Sequence, residues 1–166
     1  NVYGRGNTTP AAEFNVYADP EAAHIVFTAE IETVIIPWEP CTTHYMEGER
    51  VDALFETIPS SPMRDFSRAL AAHARHNSVS RGNPDRFLYV DPLAAAVVID
   101  PSMVTKSTVA SSSVALAPGI TRGMTLVDPS GRLGTPKITF VEEVDTKRVD
   151  KLYAVSVAYQ PNKPTN

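Results

Sequence analysis

Three polar side chains stand close together near the start of the chain, in the stretch "GNTTPAAEFN". Asn7, Glu13 and Asn15 fall in what we predict to be a loop directly before a helix. Their two carboxamides and one carboxylate offer hydrogen-bond donors and acceptors that suit a polyhydroxylated ligand. The same residue types also cap helices and stabilise turns by bonding to the backbone. On residue type alone, a ligand site and a helix entry both remain open.

A second candidate lies in "YVDPLAAAVVIDP", where Asp91 precedes Pro92. An aspartate followed by proline is an ordinary helix opening, and an exposed aspartate is also a good ligand for a hard cation. Both interpretations of Asp91 stay open at this point. His73 and His76 lie three residues apart, a spacing that could bind a metal on one helix face. Because no further ligand completes a recognisable pattern around them, we interpret these histidines as helix surface residues.

The elements that must position these residues begin with a helix in "DPEAAHIVFTA", which Asp19 caps and Pro20 opens. Its apolar residues Ala22, Ile25, Val26 and Ala29 recur at helical spacing. The run "TVIIPW" is short, apolar and β-branched, which predicts a buried strand that ends at Pro37. A helix followed by such a strand is typical of an α/β sheet covered on both faces.

The middle of the chain predicts three helices. They are a short one in "GERVDALFETI", a longer one in "SPMRDFSRALAAHARHN" with Ser61 as its cap, and one of small apolar residues over 92–100. After Pro101 the chain turns rich in β-branched residues, which predicts two to four strands with "DPSGRLG" as a turn. The stretch "DTKRVDKLYAVSVAYQ" predicts a closing amphipathic helix. We therefore predict an α/β fold with a mixed, mostly parallel sheet and flanking helices.

Composition narrows the function classes. The chain has 166 residues, a formal charge of −4 and no basic run, which argues against a nucleic-acid partner. Its apolar runs are too short to span a bilayer, so we expect no membrane partner. The single Cys41 excludes an internal disulfide framework and favours a reducing cytoplasm as the compartment.

Three stretches together resemble the inosine–uridine-preferring nucleoside hydrolases, which are calcium-dependent N-ribohydrolases. "GRGNTTPAAEFNVYADPEAA" resembles the central signature of that family, "YVDPLAAAVVIDP" its second region, and "GITRGMTLVDPSGRLG" the stretch that follows. The resemblance covers almost the whole chain in the right order, but it corresponds to the second half of a family member. The aspartate-rich calcium motif of the N-terminal half, D-x-D-x-x-x-D-D, is not found in this sequence.

The resemblance implies roles for five residues. Asn7, Glu13 and Asn15 match residues that bind the ribose hydroxyls, and Phe14 matches a position that packs beside the sugar. Asp91 matches a late aspartate that binds calcium. The resemblance thus implies a ribonucleoside substrate and Ca²⁺ as cofactor, while no residue is assigned as the catalytic acid.

One position departs from the family pattern. Many members carry a histidine directly before the calcium-binding aspartate, proposed to protonate the leaving purine, whereas this chain has Val90. Tyr89 is adjacent, but in an extended segment its side chain should point the opposite way. Base preference, and activity itself, are therefore left open by the sequence.

From these observations we predict that residues 1–160 are the C-terminal part of a nucleoside hydrolase-like domain and that 161–166 are a flexible tail. The expected function is calcium-dependent hydrolysis of ribonucleosides to base and ribose, once an N-terminal half completes the site. The isolated chain is expected to be inactive, since one carboxylate binds calcium poorly. The resemblance also implies a homo-oligomer. The alternatives are a non-catalytic nucleoside- or ribose-binding protein and a scaffold protein derived from the family.

Overall fold

A computed structural model describes residues 5–160 of the chain. In chain order its elements are α1 (Phe14–Ala18), α2 (Pro20–Thr28), β1 (Val34–Ile35), α3 (Trp38–Thr43), β2 (Tyr45–Glu47), α4 (Gly48–Thr57), α5 (Pro62–Val79), β3 (Arg86–Leu88), α6 (Asp91–Ile99), a 3-10 turn (Pro101–Met103), β4 (Val104–Val114), β5 (Thr125–Asp128), β6 (Lys137–Val144) and α7 (Thr146–Ala158). The predicted tail 161–166 lies outside the described residues.

The chain divides into two compact units, each formed from two separate segments. The first unit contains residues up to Thr43 together with Val104–Val144, and the second contains His44–Met103 together with the residues from Asp145 onward. The expectation of a single domain over 1–160 stays a prediction, and each unit is described by itself.

The first unit is built on a four-stranded sheet in the order β1-β6-β4-β5. Strand β1 runs parallel to β6, while β4 is antiparallel to both β6 and β5. Helix α2 packs against β4, and α3 packs against β6. The core of this unit is apolar and consists of Ala110, Ile138 and Phe140, with Phe27, Ile35 and Val127 packed against them.

The second unit is largely helical. Strands β2 and β3 form an antiparallel pair in which Met46 lies opposite Phe87. Helix α5 packs against α4, α7 and β3. The Arg75 guanidinium bonds to Asp52 at 2.6 Å and to Asp85 at 2.7 Å, so one side chain ties α5 to α4 and to the segment before β3. The hydrogen bond from Arg75 lowers the pKa of Asp85.

The helix starts follow the capping residues that the sequence shows. The Asp19 carboxylate accepts a hydrogen bond from the Ala22 N–H at 2.9 Å, and Ser61 caps α5 in the same way. Asp145 caps α7 by accepting from two backbone N–H groups. Each cap satisfies N–H groups that have no partner inside the helix. The predicted helices are therefore confirmed in place.

The balance of strand directions differs from the prediction. The sheet is mixed, as expected, and helices flank it, but among the described strands only the β1–β6 pair is parallel. The expectation of a mostly parallel sheet is wrong for this part of the fold. In the first unit, β4 pairs antiparallel with β5 on one side and with β6 on the other, and no helix lies between these three strands along the chain. Strand β1, in contrast, is followed by several helices before the chain reaches its parallel partner β6.

Short elements were also missed. "WEPCTT" forms α3 where only the end of a strand was expected, and β2 and β3 were not anticipated at all. A strand of three residues is too short for a period of two to show in its sequence.

No helix in the described part of the chain is long and apolar enough to cross a membrane.

Candidate active-site segment

The polar cluster near the start of the chain forms a tight loop around one carbonyl. The backbone N–H groups of Asn7, Thr8 and Thr9 all point at the carbonyl oxygen of Ala12, at 3.1, 3.2 and 3.4 Å. The Thr9 hydroxyl accepts from the Ala12 N–H at 2.9 Å, and Ala12 itself is fully buried. The loop is thus fastened at its centre by backbone bonds, which hold its side chains in a defined arrangement.

Gly6 is required for this loop because there is no room for a side chain. A Cβ at Gly6 would lie 2.1 Å from the Thr9 carbonyl oxygen and 2.4 Å or less from two backbone atoms of Ala12. These are main-chain atoms that cannot move without opening the loop. In the sequence, this constraint shows only as a glycine directly before Asn7. Our reasoning from the polar residues of the motif gave that glycine no role.

Asn7 and Glu13 each use one side-chain oxygen to accept hydrogen bonds from backbone N–H groups of the first turn of α1. The Asn7 Oδ1 accepts a hydrogen bond from the Phe14 N–H at 2.7 Å. The Glu13 Oε2 accepts from the N–H groups of Asn15 at 2.9 Å and Val16 at 3.3 Å and so caps α1. The helix-entry interpretation is therefore correct for both residues. It does not remove the ligand interpretation, since each side chain has a second polar atom, Nδ2 or Oε1.

We predicted that Asn15, with Phe14 beside it, lies in the loop, but the structure places both residues on the first turn of α1. Phe14 is 61% exposed, and Asn15 is exposed as well. A large aromatic side chain normally avoids such exposure. All four predicted sugar-binding residues thus lie within one segment of nine residues, and the structure brings them together.

A glycine of a later loop supports α1 from beside it. Gly123 has a φ of +80°, a conformation that other residues rarely adopt. A Cβ there would be 3.2 Å from both the Cβ of Ala12 and the Cα of Tyr17. Arg122, next to it, pairs with Glu21 at 2.7 Å. The stretch "ITRGM" therefore packs against the loop and α1 through Gly123 and is joined to α2 through Arg122, roles that the sequence alone did not indicate.

Asp91 belongs to the second unit and is the first residue of α6. The residue in the cap position is Val90, and no side chain caps this helix. The Asp91 side chain is exposed and, within residues 5–160, has no hydrogen bond or ion pair. The capping interpretation of Asp91 is therefore wrong, in contrast to Asp19, which opens α2 with the same dipeptide and does cap it.

The segment that leads to Asp91 is anchored through Tyr89. This tyrosine is fully buried, and its hydroxyl donates to the Asp150 carboxylate at 2.9 Å. Arg50 bonds to the other oxygen of Asp150 at 2.8 Å. Burial, followed by the bond to Asp150, raises the pKa of the Tyr89 phenol, so it stays a neutral donor. The Tyr89 N–H also donates to the His44 carbonyl at 3.2 Å.

Replacing Tyr89 by phenylalanine should lower the free energy of unfolding by about 1–2 kcal/mol, because Asp150 then loses a buried partner. Tyr153 is the matched control. It packs on Tyr89 with ring centroids 5.6 Å apart, and burial raises the pKa of its phenol to about 12. Its hydroxyl has no hydrogen bond within the described residues. Tyr153→Phe should therefore change stability by less than about 0.5 kcal/mol. Denaturant unfolding of both variants measures the difference, and equal losses would contradict a specific role for the Tyr89–Asp150 bond.

The position of Val90 agrees with the expected alternation. Val90 is 36% exposed, whereas the Tyr89 side chain is directed into the interior. Tyr89 is therefore not placed as a substitute for the missing histidine, and no proton donor stands directly before Asp91.

The described residues do not by themselves fit a calcium ion. No group of three or more His, Cys, Asp or Glu residues in 5–160 comes together in a way that could hold a metal. Asp91 offers one carboxylate, whereas calcium takes about six to eight oxygen ligands. His73 bonds to Asn77 at 2.9 Å on the surface of α5, in agreement with our interpretation of the two helix histidines.

Comparison with known proteins shows which protein family the sequence matches. The family model described as "Inosine-uridine preferring nucleoside hydrolase" matches residues 1–151. A Leishmania major protein with that name is 33% identical over 127 residues, which is 76% of this chain and 39% of the relative. The non-specific ribonucleoside hydrolase RihC of Shigella boydii is 34% identical over 133 residues, 80% of this chain and 41% of the relative.

Solved structures agree on the fold. A plant nucleoside hydrolase superposes with a TM-score of 0.86 at 24% identity, covering 96% of this chain and 52% of that one. A purine-preferring ribonucleoside hydrolase from Gardnerella vaginalis gives 0.81 at 20% identity, with 95% and 49% covered. The chain thus spans about half the length of these structures and about two fifths of the length of the two sequence relatives.

Proposed function

Because the chain belongs to the inosine-uridine preferring nucleoside hydrolase family, we propose that it is the C-terminal part of an enzyme that hydrolyses the N-glycosidic bond of ribonucleosides to free base and ribose. The observation that carries this proposal is the segment from Asn7 to Asn15. Its backbone is fastened internally, while Phe14 and Asn15 are turned to the outside. Such a segment is built to present side chains, and the residues it presents are those that the family resemblance relates to ribose.

The part of the reaction assigned to this segment is binding and orientation of the sugar. Asn7 Nδ2 can donate to a ribose hydroxyl, Glu13 Oε1 can accept from one, and the Asn15 carboxamide can do both. Since Asn7 is held through Oδ1 and Glu13 through Oε2, Asn7 Nδ2 and Glu13 Oε1 are fixed before substrate arrives. Pre-organised partners reduce the entropy that must be lost on the way to the transition state.

Glu13 also has an electrostatic role in this proposal. Cleavage of a glycosidic bond passes through an oxocarbenium-like transition state, in which the sugar ring becomes positive. A carboxylate fixed beside that ring stabilises the transition state more than the neutral ground state, and only this difference speeds the step. Phe14 would cover the apolar side of the ring and exclude water.

Calcium and Asp91 enter the proposal from the resemblance. We assign Asp91 as one ligand of a Ca²⁺ ion whose other ligands come from an N-terminal half, which is consistent with its exposed carboxylate at the start of α6. The bound ion would supply the activation of water. A homo-oligomeric assembly and a cytoplasmic location are also proposals, the first from the resemblance and the second from the single Cys41.

The alternative is a protein that binds nucleosides or ribose without cleaving them. Two observations favour it: Val90 stands where many relatives carry a histidine, and the described residues do not form a metal site. In this alternative the segment around Asn15 binds the sugar, but no group protonates the leaving base.

The deciding experiment combines the 166-residue chain with the N-terminal polypeptide of the Leishmania major relative, up to the region that the chain matches. Inosine and uridine are supplied with calcium or with a chelator, and free ribose is measured. Calcium-dependent ribose release by the mixture, absent from either polypeptide alone, is the expected result. Saturable nucleoside binding without ribose release would instead establish the non-catalytic alternative.

A further inference from the structure

The connection between β4 and β5, residues 115–124, forms a loop that is closed at its base by backbone hydrogen bonds. The Ala115 N–H donates to the Met124 carbonyl at 2.9 Å, and the Gly123 N–H donates to the Ala115 carbonyl, also at 2.9 Å. Strand β4 ends at the residue directly before Ala115. The position of Gly123 is therefore tied to the end of a sheet strand.

This connection, the β4–β5 loop, approaches the chain on both sides of the predicted sugar-binding residues. A Cβ on Gly123 would lie 3.2 Å from the Cβ of Ala12 and 3.2 Å from the Cα of Tyr17. Ala12 directly precedes Glu13, and Tyr17 lies on α1 two residues after Asn15. The backbone of Gly123 is thus close to both ends of the short stretch that carries three of the four predicted sugar-binding residues.

The side chain of Arg122 joins the same loop to α2. Its Nη2 donates to the two carboxylate oxygens of Glu21 at 2.7 and 2.9 Å, and its Nη1 donates to the Leu116 carbonyl within the loop. Glu21 is in the first turn of α2, and only Asp19 separates α2 from α1. The guanidinium therefore gives the loop a third point of attachment, directly after the sugar-binding residues.

The exposure of this ion pair limits its contribution to overall stability. The side chains of Arg122 and Glu21 are 35% and 56% exposed. Exposed ion pairs add little to the free energy of unfolding, because water screens their charges. A planar guanidinium bonded to two partners at once does, however, hold those partners in a defined arrangement. The pair is therefore better suited to fixing geometry than to stabilising the fold.

From these contacts we propose that Arg122 is a positioning residue for the sugar site. By pairing with Glu21 it keeps the β4–β5 loop packed against the start and end of the stretch around α1, and so keeps the Asn7 and Glu13 side chains in the arrangement that binds ribose. Arg122 does not touch the substrate in this proposal. The inference rests on the proposed function, because it concerns the residues that are assigned there to the sugar.

Three backbone amides report whether that arrangement is intact. The Phe14 N–H donates to Asn7 Oδ1, and the N–H groups of Asn15 and Val16 donate to Glu13 Oε2. Each of these hydrogen bonds is lost when its acceptor side chain moves, so the exchange of the three amides with deuterium should then accelerate. The measurement uses the 166-residue chain and does not depend on catalysis.

Arg122→Gln removes the charge and the planar guanidinium. We expect the three amides to exchange at least about fivefold faster in this variant, while the amides of β6 keep the parent rate. Glu21→Gln should have the same effect, and the double variant should add nothing further, because both changes break one interaction. Arg68→Gln is the control. Arg68 forms an exposed ion pair with Glu56 at 3.2 Å in the second unit, and its loss should leave the three amides unchanged.

Ribose release is then measured with the chain and the N-terminal polypeptide of the Leishmania major relative combined. Arg122→Gln should lower kcat for inosine about tenfold and raise KM less, since misplaced groups lose more interaction in the transition state than in the ground state. Arg122→Lys should give an intermediate kcat, because lysine keeps the charge but lacks the planar group that bonds to Glu21 and the Leu116 carbonyl together. Arg68→Gln should keep the parent values.

The outcomes separate this inference from the proposed function. Faster exchange of the three amides in Arg122→Gln, together with a parent mixture that releases no ribose, would leave Arg122 as the residue that positions this segment and refute the enzymatic proposal. Unchanged exchange of these amides, or equal acceleration in β6, would overturn the positioning role even if the parent mixture releases ribose. A kcat equal to that of the parent, or additive losses in the double variant with Glu21→Gln, would overturn it as well.

Discussion

Replacing Asp91 by asparagine should lower ribose release by the completed enzyme by about 10³-fold, which corresponds to several kcal/mol of transition-state stabilisation lost with a metal ligand. Asparagine keeps the size and one oxygen but removes the charge that holds a hard cation. The calcium concentration for half-maximal activity should rise in parallel. Because the Asp91 side chain neither caps α6 nor pairs with another described residue, the thermal midpoint of the chain should change little.

Asp19 provides the matched control for this prediction. It also precedes a proline at a helix start, but its carboxylate caps α2 through the Ala22 N–H. Asparagine is an equally good cap, so Asp19→Asn should leave both activity and stability close to the parent. Equal loss of activity in the two variants would show that the charge at Asp91 has no special role. An unchanged calcium requirement in Asp91→Asn would refute its assignment as a ligand.

Replacing Gly6 by alanine should open the loop that carries Asn7 and Glu13. The new methyl group would lie 2.1–2.4 Å from three backbone atoms, so the loop cannot keep its hydrogen bonds to the Ala12 carbonyl. Overpacking of this kind costs about 1–3 kcal/mol. A displacement of the sugar-binding side chains by about 1 Å should lower ribose release about 10²-fold.

Two measurements check the effect at Gly6. Hydrogen exchange of the Thr8 and Thr9 amides should accelerate in Gly6→Ala, since their bonds to the Ala12 carbonyl are lost. Gly131→Ala is the control, because Gly131 has a φ of +74° but no atom within 4 Å of its Cβ position. That variant carries only the strain of a left-handed alanine, about 1–2 kcal/mol, and should keep full activity. Normal exchange at Thr8 and Thr9 in Gly6→Ala would mean that the loop tolerates a side chain.

Local chemistry explains why so much of the helical structure could be predicted from the sequence. Asp19, Ser61 and Asp145 each place an oxygen next to N–H groups that need a partner, and the helices begin where these residues stand. The signature around Asn7 to Asn15 likewise acts over a few residues, so its own sequence contains the information for its loop. These features depend mainly on neighbours along the chain, although the distant Gly123 also packs beside Ala12 and Tyr17.

Strand partners and the outward side of α2 depended on residues far away in the chain. The position of β4 between its antiparallel partners β5 and β6, and the parallel pair of β1 with β6, follow from contacts that no local pattern encodes. The helical spacing of Ile25 and Val26 was correct, but only the packing of α2 on β4 shows that Phe27 is the residue turned inward.

The two aspartate–proline pairs show, for a single residue type, the same difference between what local sequence predicts and what distant contacts decide. Residue identity and spacing alone were enough to predict a helix after Asp19 and another after Asp91. They could not show that the first carboxylate turns back onto its helix while the second stays free. The difference is that Asp19 occupies the cap position of α2, whereas α6 begins at Asp91 itself, with Val90 in its cap position. The residue directly before Val90 is Tyr89, whose bond to Asp150 on α7 joins it to a part of the chain far along the sequence. A side chain's chemical type is local information, whereas its freedom to bind a ligand is decided by what the folded chain leaves beside it.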